Sequence, residues 1–357
     1  MSDPTLSRRG FIAAAGTTLA RTTLASTALA TMPFGARAQG AAPKVLADLA
    51  GAAAKKPPVV WSESSDTAAI AKVIAAFNKT WPDIKVEFIR DTGGGTLAAK
   101  VVQESQAGGT PAAVLTGDQS QFAVLDQRGL LVRPDWAALG VASASVVSPF
   151  MVPTTSAIGV IVWNKQKVSE ADRPKNLNDL LNPRWTGKAG AWLRTPVYVS
   201  MAHLMGEAEV RAHLQKFVAM QPKLYDSTYR LAQEIGTGEI EVGYGLTHST
   251  LPVMAAGAPV EFAFTDPVGI STLYTCCVGK SANPEGAQVL ATWLAGREGA
   301  DAYEAATGRG NPRVEGSNAA KLVSGRKLSE YPLADYPTFL RLLADYNKIM
   351  SARGAAR

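Results

Sequence analysis

An α/β fold of two lobes is what this sequence predicts, on three observations. The chain has 357 residues, enough for two separate hydrophobic cores. Strand and helix patterns alternate from Val59 to Thr116, which implies a parallel sheet with its loops gathered at one edge. A second strand start, Ala189–Leu193, follows a long loop and opens another such unit.

The first 38 residues stand apart. Ser7-Arg8-Arg9-Gly10-Phe11-Ile12 has the form of a twin-arginine export signal, followed by a weakly hydrophobic run and the triplet Ala36-Arg37-Ala38. Arg21 interrupts the run, which is too polar for a membrane span. Cleavage after Ala38 would deliver a folded protein to the periplasm. The segment carries four arginines against Asp3, so its removal lowers the net charge from +6 to +3. That mild excess, without a dense Lys/Arg block, argues against nucleic acid as a partner. Two adjacent cysteines, Cys276-Cys277, point to opposite faces of a strand and read as small core residues.

After an Ala/Gly/Lys/Pro-rich tether over 39–58, with one helical turn around Val45–Leu49, Val59-Val60-Trp61 reads as a buried strand. Ser62, Glu63, Ser64, Ser65 and Asp66 then precede a helix whose apolar positions are Ile70, Val73, Ile74 and Phe77. Ser65 or Asp66 caps that helix, and the loop also faces a ligand edge. A second strand, Ile84–Ile89, runs into Gly93-Gly94-Gly95-Thr96, ahead of a helical pattern through Leu97, Val101 and Val102. Glycines allow close backbone approach, and the first helical turn offers free N–H groups and the positive end of its dipole, a site for an oxyanion. The run lacks the Lys-Ser/Thr ending of a nucleotide loop. Pro111–Thr116 is a third strand, with Asp118 just beyond its carboxyl end.

Hydroxyls at Thr154, Thr155 and Ser156 lead into the longest apolar strand, Ile158–Asn164. Arg194 follows the strand Ala189–Leu193, and one long helical region runs through Met201–Met220. Ser227 and Thr228 precede a further helix, and Thr247-His248-Ser249-Thr250 reads as a loop after the strand Glu241–Leu246. Val260–Phe264 and Val268–Val278 return the chain, and helices follow near Ala287–Leu294 and from Pro337.

The order of these landmarks resembles the periplasmic solute-binding proteins of ABC importers, the type 2 group that includes ferric-ion-binding proteins. Matching stretches include Val59-Val60-Trp61-Ser62, Thr80–Val86, Leu125–Leu131 and Val160–Asn164. The loop Asn176–Lys188, Gly238–Tyr244 and Ala282–Ala287 complete the series. The resemblance implies a two-lobed type 2 periplasmic-binding-protein fold, with a hinge and a ligand cleft between the lobes. It also implies a small-molecule solute, an ABC permease in the inner membrane as partner, a twin-arginine translocase during export, and a monomer. One lobe is expected over residues 39–158 and 268–357, the other over 159–267.

Ferric-binding relatives carry adjacent tyrosines where this chain has Thr247-His248-Ser249-Thr250. The ligand expected is therefore a small anionic or zwitterionic organic solute, of carboxylate or phosphonate type, with ferric iron as the alternative. Its candidate contacts are Ser62, Ser64, Ser65, Gly94, Gly95, Thr96, Asp118, Thr155, Arg194, Ser227, Thr228, Thr247 and His248. No metal ligand set, cofactor motif or compact catalytic set is found, so an exported enzyme on the same fold is the weaker alternative.

Overall fold

In a computed structural model of the protein, residues 42–91 and 96–352 are described. The export signal expected over residues 1–38 and the glycines Gly93, Gly94 and Gly95 lie outside them.

Helix α1 (Lys44–Ala53) leads into β1 (Val59–Glu63), α2 (Thr67–Thr80), β2 (Val86–Arg90), α3 (Thr96–Gln106), β3 (Val114–Gly117) and α4 (Gln119–Gln127). The long β4 (Met151–Asn164) is followed by β5 (Ala189–Trp192), α5 (Pro196–Met205), α6 (Glu207–Ala219) and β6 (Lys223–Tyr225). Next come α7 (Thr228–Thr237), β7 (Val242–Leu246), α8 (Thr247–Ala255) and β8 (Val260–Ala263). β9 (Val268–Cys277), α9 (Pro284–Ala295), α10 (Arg297–Thr307), α11 (Asn318–Leu322), β10 (Leu328–Ser329) and α12 (Tyr336–Ser351) complete the described chain.

The strands run in the order β2-β1-β3-β9-β4-β7-β5-β6, with β10 paired to β9 and β8 to β4. β1 has parallel neighbours on both sides, whereas β9 lies antiparallel to β3 and β4, so the sheet is mixed rather than wholly parallel. β4 changes partners along its length. Met151–Ile158 pairs with β9, and Gly159–Trp163 pairs with β7. At the changeover a Cβ on Gly159 would lie 2.1 Å from the Tyr244 hydroxyl oxygen, so only glycine lets the phenol fit.

Two main cores flank this crossing. In the first, Ile70, Val73 and Phe77 form the buried stripe of α2, packed with Trp61, Trp293 and Tyr303. The Phe77 and Trp293 rings meet edge-on at 5.4 Å. A fully buried side chain of this size contributes about 1.5–3 kcal/mol. The second core gathers Trp185, Tyr198, Phe217 and Tyr244 with Leu342, Tyr346 and Met350 of α12. The last helix thus packs on α5 and α6, the layer that covers β5 and β7. Cys277 belongs to the first core, whereas Cys276 packs on the opposite face with Phe122 and Leu125. Both are free and buried.

Some local expectations give way to the structure. The helical region through Met201–Met220 is two helices, broken at Gly206, whose φ of 98° no other residue adopts without strain. Thr154, Thr155 and Ser156 belong to β4 rather than to a loop, and all three are buried. Their hydroxyls are used internally: Thr154 Oγ1 lies 2.6 Å from Thr275 Oγ1, which lies 2.8 Å from Thr116 Oγ1. Trp61 Nε1 donates to Thr116 Oγ1 at 3.0 Å, so this buried hydroxyl chain is satisfied by the fold itself.

Candidate functional site

The carboxyl ends of β1 and β2, the last turn of α10 and the first turn of α7 surround a cleft of about 450 Å³. Ser64 and Ser65 follow β1, Lys72 comes from α2, and Arg90 ends β2. Thr307 and Arg309 come from the end of α10, which packs on α2, and across from them Tyr229 comes from α7.

The charge of the cleft is mostly positive. Among the described residues Lys72 and Arg309 make no ion pair, and the Arg90 side chain donates from Nε to the Ser64 carbonyl at 3.3 Å. Asp66 is the one acidic lining residue among those described, and its Oδ1 accepts from the N–H groups of Ala68 and Ala69 as the cap of α2. A carboxylate so used offers little to a ligand cation.

Beneath Ser65 lies Glu63, 1% exposed. Its Oε2 accepts from the Ser65 N–H at 3.3 Å, the Ser65 hydroxyl at 3.0 Å and the Tyr303 hydroxyl at 3.2 Å. Burial pushes its carboxyl above the usual range, while the bonds from Ser65 and the charge of Arg309 pull the other way.

On the α7 side, the Tyr229 hydroxyl donates to the Thr307 carbonyl at 3.3 Å. The Tyr229 ring meets the His248 imidazole at 5.5 Å, inclined at 65°. His248 Nε2 lies 3.5 Å from Thr228 Oγ1, and its Nδ1 is buried with no hydrogen-bond partner. Burial, and then the charge of Arg309, hold the imidazole neutral, with its pKa lowered to about 3. Gly308, at a φ of 74°, packs against the backbone of His248, where a Cβ would come 2.9 Å from the carbonyl oxygen.

Chain-wide comparison decides what kind of protein holds this cleft. A family profile described as bacterial extracellular solute-binding protein matches residues 72–324. The chain belongs to that family. Among curated proteins, an Fe(3+)-binding periplasmic protein of Serratia marcescens is 26% identical over 276 residues, spanning 66% of this chain and 78% of its own. Among solved structures, iron-bound HitA from Pseudomonas aeruginosa superposes with a TM-score of 0.65 at 19% identity, covering 84% of this chain and 100% of its own. AfuA from Actinobacillus pleuropneumoniae, with fructose-6-phosphate bound, gives 0.63 at 19% identity over 82% of this chain and 98% of its own. The shared fold is the two-lobed one of periplasmic binding proteins, as the sequence predicts.

Within this solute-binding protein the expected contact residues that are described divide into three groups. Ser64 and Ser65 line the cleft. Ser227, Thr228, Thr247 and His248 lie behind Tyr229: Ser227 caps α7, accepting from the Arg230 N–H at 3.4 Å, and the other three are buried. Thr247–Thr250 is the first turn of α8 rather than a loop. Elsewhere, Ser62 is 3% exposed, Thr155 donates to the Gly310 carbonyl at 3.3 Å, and Asp118 caps α4, accepting from the Ser120 N–H at 2.9 Å. Thr96, at the start of α3, donates to Asp91 Oδ1 at 3.4 Å, and Arg194 is exposed beyond β5; neither lines the cleft. Gly94 and Gly95 fall outside the described residues.

Sequence reading missed Lys72, Arg90, Thr307 and Arg309 as lining residues. Only Arg309 carried a signal, a lone cation between Gly308 and Gly310 just past a helix end.

Proposed function

We infer that this protein captures an organic oxyanion, of carboxylate, phosphonate or phosphate-ester type, between its two lobes and hands it to an ABC permease from the periplasm. The observation that carries this reading is the convergence of Lys72, Arg90 and Arg309 on one cleft with the Ser64 and Ser65 hydroxyls. Guanidinium and ammonium donors at a partly dry site form charge-assisted bonds to such groups. A cleft of about 450 Å³ also suits a whole organic molecule, since ligand pockets run to about 300–1,000 Å³. Export by the twin-arginine signal, cleavage near Ala38 and a monomeric state belong to the same reading.

We place the lobe boundaries where β4 changes partners, between Ile158 and Gly159, and between Pro267 and the start of β9. Supporting this, Gly159 and Gly269 both sit where a Cβ would collide: at Gly269 it would lie 2.5 Å from the Val197 carbonyl oxygen. The packing of α12 on α5 and α6 supports counting that helix with the lobe of residues 159–267.

Ferric iron is the second reading, favoured by the name of the Serratia relative and by the Tyr229 phenol on the cleft. Against it, Tyr303 is buried, its hydroxyl donates to Glu63, and burial pushes its pKa up, which opposes a phenolate. Among the described residues no group of three or more His, Cys, Asp and Glu side chains is placed to hold a metal ion.

Native mass spectrometry of gently purified protein, with release of any bound species, separates the readings. An unaltered organic anion, lost on Arg309→Gln with at least a tenfold drop in affinity, is the expected result. Iron with a visible tyrosinate band that disappears in Tyr229→Phe would replace it.

A further inference from the structure

We propose that Tyr229 is the specificity-determining residue of this cleft, selecting oxyanions that carry a flat ring beside the charged group. The inference rests on the anionic reading above and deepens it.

Tyr229 is the one aromatic side chain among the described residues lining the cleft. It remains 43% exposed, unusual for a large ring that is held at both ends. Its hydroxyl is bonded to the Thr307 carbonyl, and its ring is packed against His248, which is only 2% exposed. His248 is in turn fixed by Gly308, whose backbone lies against it, and by the approach of Thr228. The ring plane is therefore set before any ligand arrives, so a stacking partner loses no affinity to ordering it.

The remaining apolar lining comes from the other lobe and is small: Ala68 and Ala69 of α2 and Ala306 of α10. Methyl groups on that side and a preset ring on this one leave room for a flat group between them. The cations Lys72, Arg90 and Arg309 share the same cleft, where they meet the charged end. A compact inorganic anion would use the cations and leave the ring without a partner.

Isothermal titration calorimetry with phenyl phosphate and methyl phosphate tests this on the full-length mature chain. Wild type is expected to prefer phenyl phosphate by about tenfold, which corresponds to a single aromatic pair of about 1.4 kcal/mol. Tyr229→Phe keeps the ring and loses the bond to Thr307, and it should retain that preference. Tyr229→Leu should lose it, to within about threefold. Equal binding of the two esters by wild type, or a preference that survives Tyr229→Leu, overturns the role of Tyr229 and leaves the anionic reading in place. Failure of wild type to bind either ester, inorganic phosphate, benzoate, acetate or methylphosphonate overturns both.

Discussion

The phenol of Tyr244 fills the space that a side chain on Gly159 would need. A Cβ there would lie 2.1 Å from the hydroxyl oxygen and 2.8 Å from Cζ. The hydroxyl donates to the Met201 sulfur at 3.2 Å, so β4, β7 and α5 are locked together where β4 changes partners. Gly159→Ala is expected to cost about 1–3 kcal/mol through overpacking. Chemical denaturation should show it, and a Tyr244→Leu background should remove most of the penalty. Additive losses in the double variant would mean that the two residues do not compete for space.

A second expectation concerns the bond from Tyr229 to the Thr307 carbonyl, which joins α7 to the end of α10 across the cleft mouth. Tyr229→Phe removes about 0.5–1.5 kcal/mol of support for the closed arrangement. Small-angle scattering of the ligand-free protein should then report a larger radius of gyration than wild type, with thermal stability nearly unchanged. An identical scattering curve would show that this bond does not hold the cleft shut.

His213 supplies a pH-dependent term. It is 3% exposed, both ring nitrogens lack hydrogen-bond partners, and it lies between Tyr198 and Phe217. Burial, reinforced by Lys216, lowers its pKa from 6.5 to about 4. As pH falls below 6.5 the unfolded chain takes up this proton while the folded one resists it. Stability therefore declines through the window down to about 4 and is unaffected by this group above it. The loss approaches about 3 kcal/mol. Glu63, raised above its usual range, acts in the opposite sense, but it is common to wild type and variant. His213→Phe should flatten the denaturation free energy between pH 6.5 and 4 relative to wild type; parallel pH curves would remove His213 as the cause.

Cys276 and Cys277 should be silent toward thiol reagents in the native state. Both are fully buried, and burial pushes both thiols up, away from the reactive thiolate. A dithionitrobenzoate assay is expected to register them only after denaturation; rapid native labelling would reveal opening of the strand that carries them.

Much of the frame was legible because it rests on local pattern. The stripe Ile70, Val73, Phe77 and the long run into Asn164 each follow from periodicity, and both appear as α2 and β4. The cleft was legible in part. Ser64 and Ser65 could be found because they follow a strand end within a single local unit. Arg309 could not be tied to them, since 244 positions separate it from Ser65 and only the tertiary fold joins them. Thr155 misled for a related reason: a run of hydroxyls just after a proline reads as a loop, yet β4 buries it and spends its hydrogen on Gly310. Gly206 shows the converse, where one glycine splits a helical run that the surrounding residues would continue.

The seating of α12 on α5 and α6 has a practical meaning for recombination. Residues 159–267 are the contiguous block that an exchange between related chains would take as a cassette. Such a block, moved alone, would leave Leu342, Tyr346 and Met350 facing a foreign surface and would strip α5 and α6 of the helix that covers them. A workable chimaera of this protein has to carry two separate pieces of gene, the cassette and the tail that wraps it.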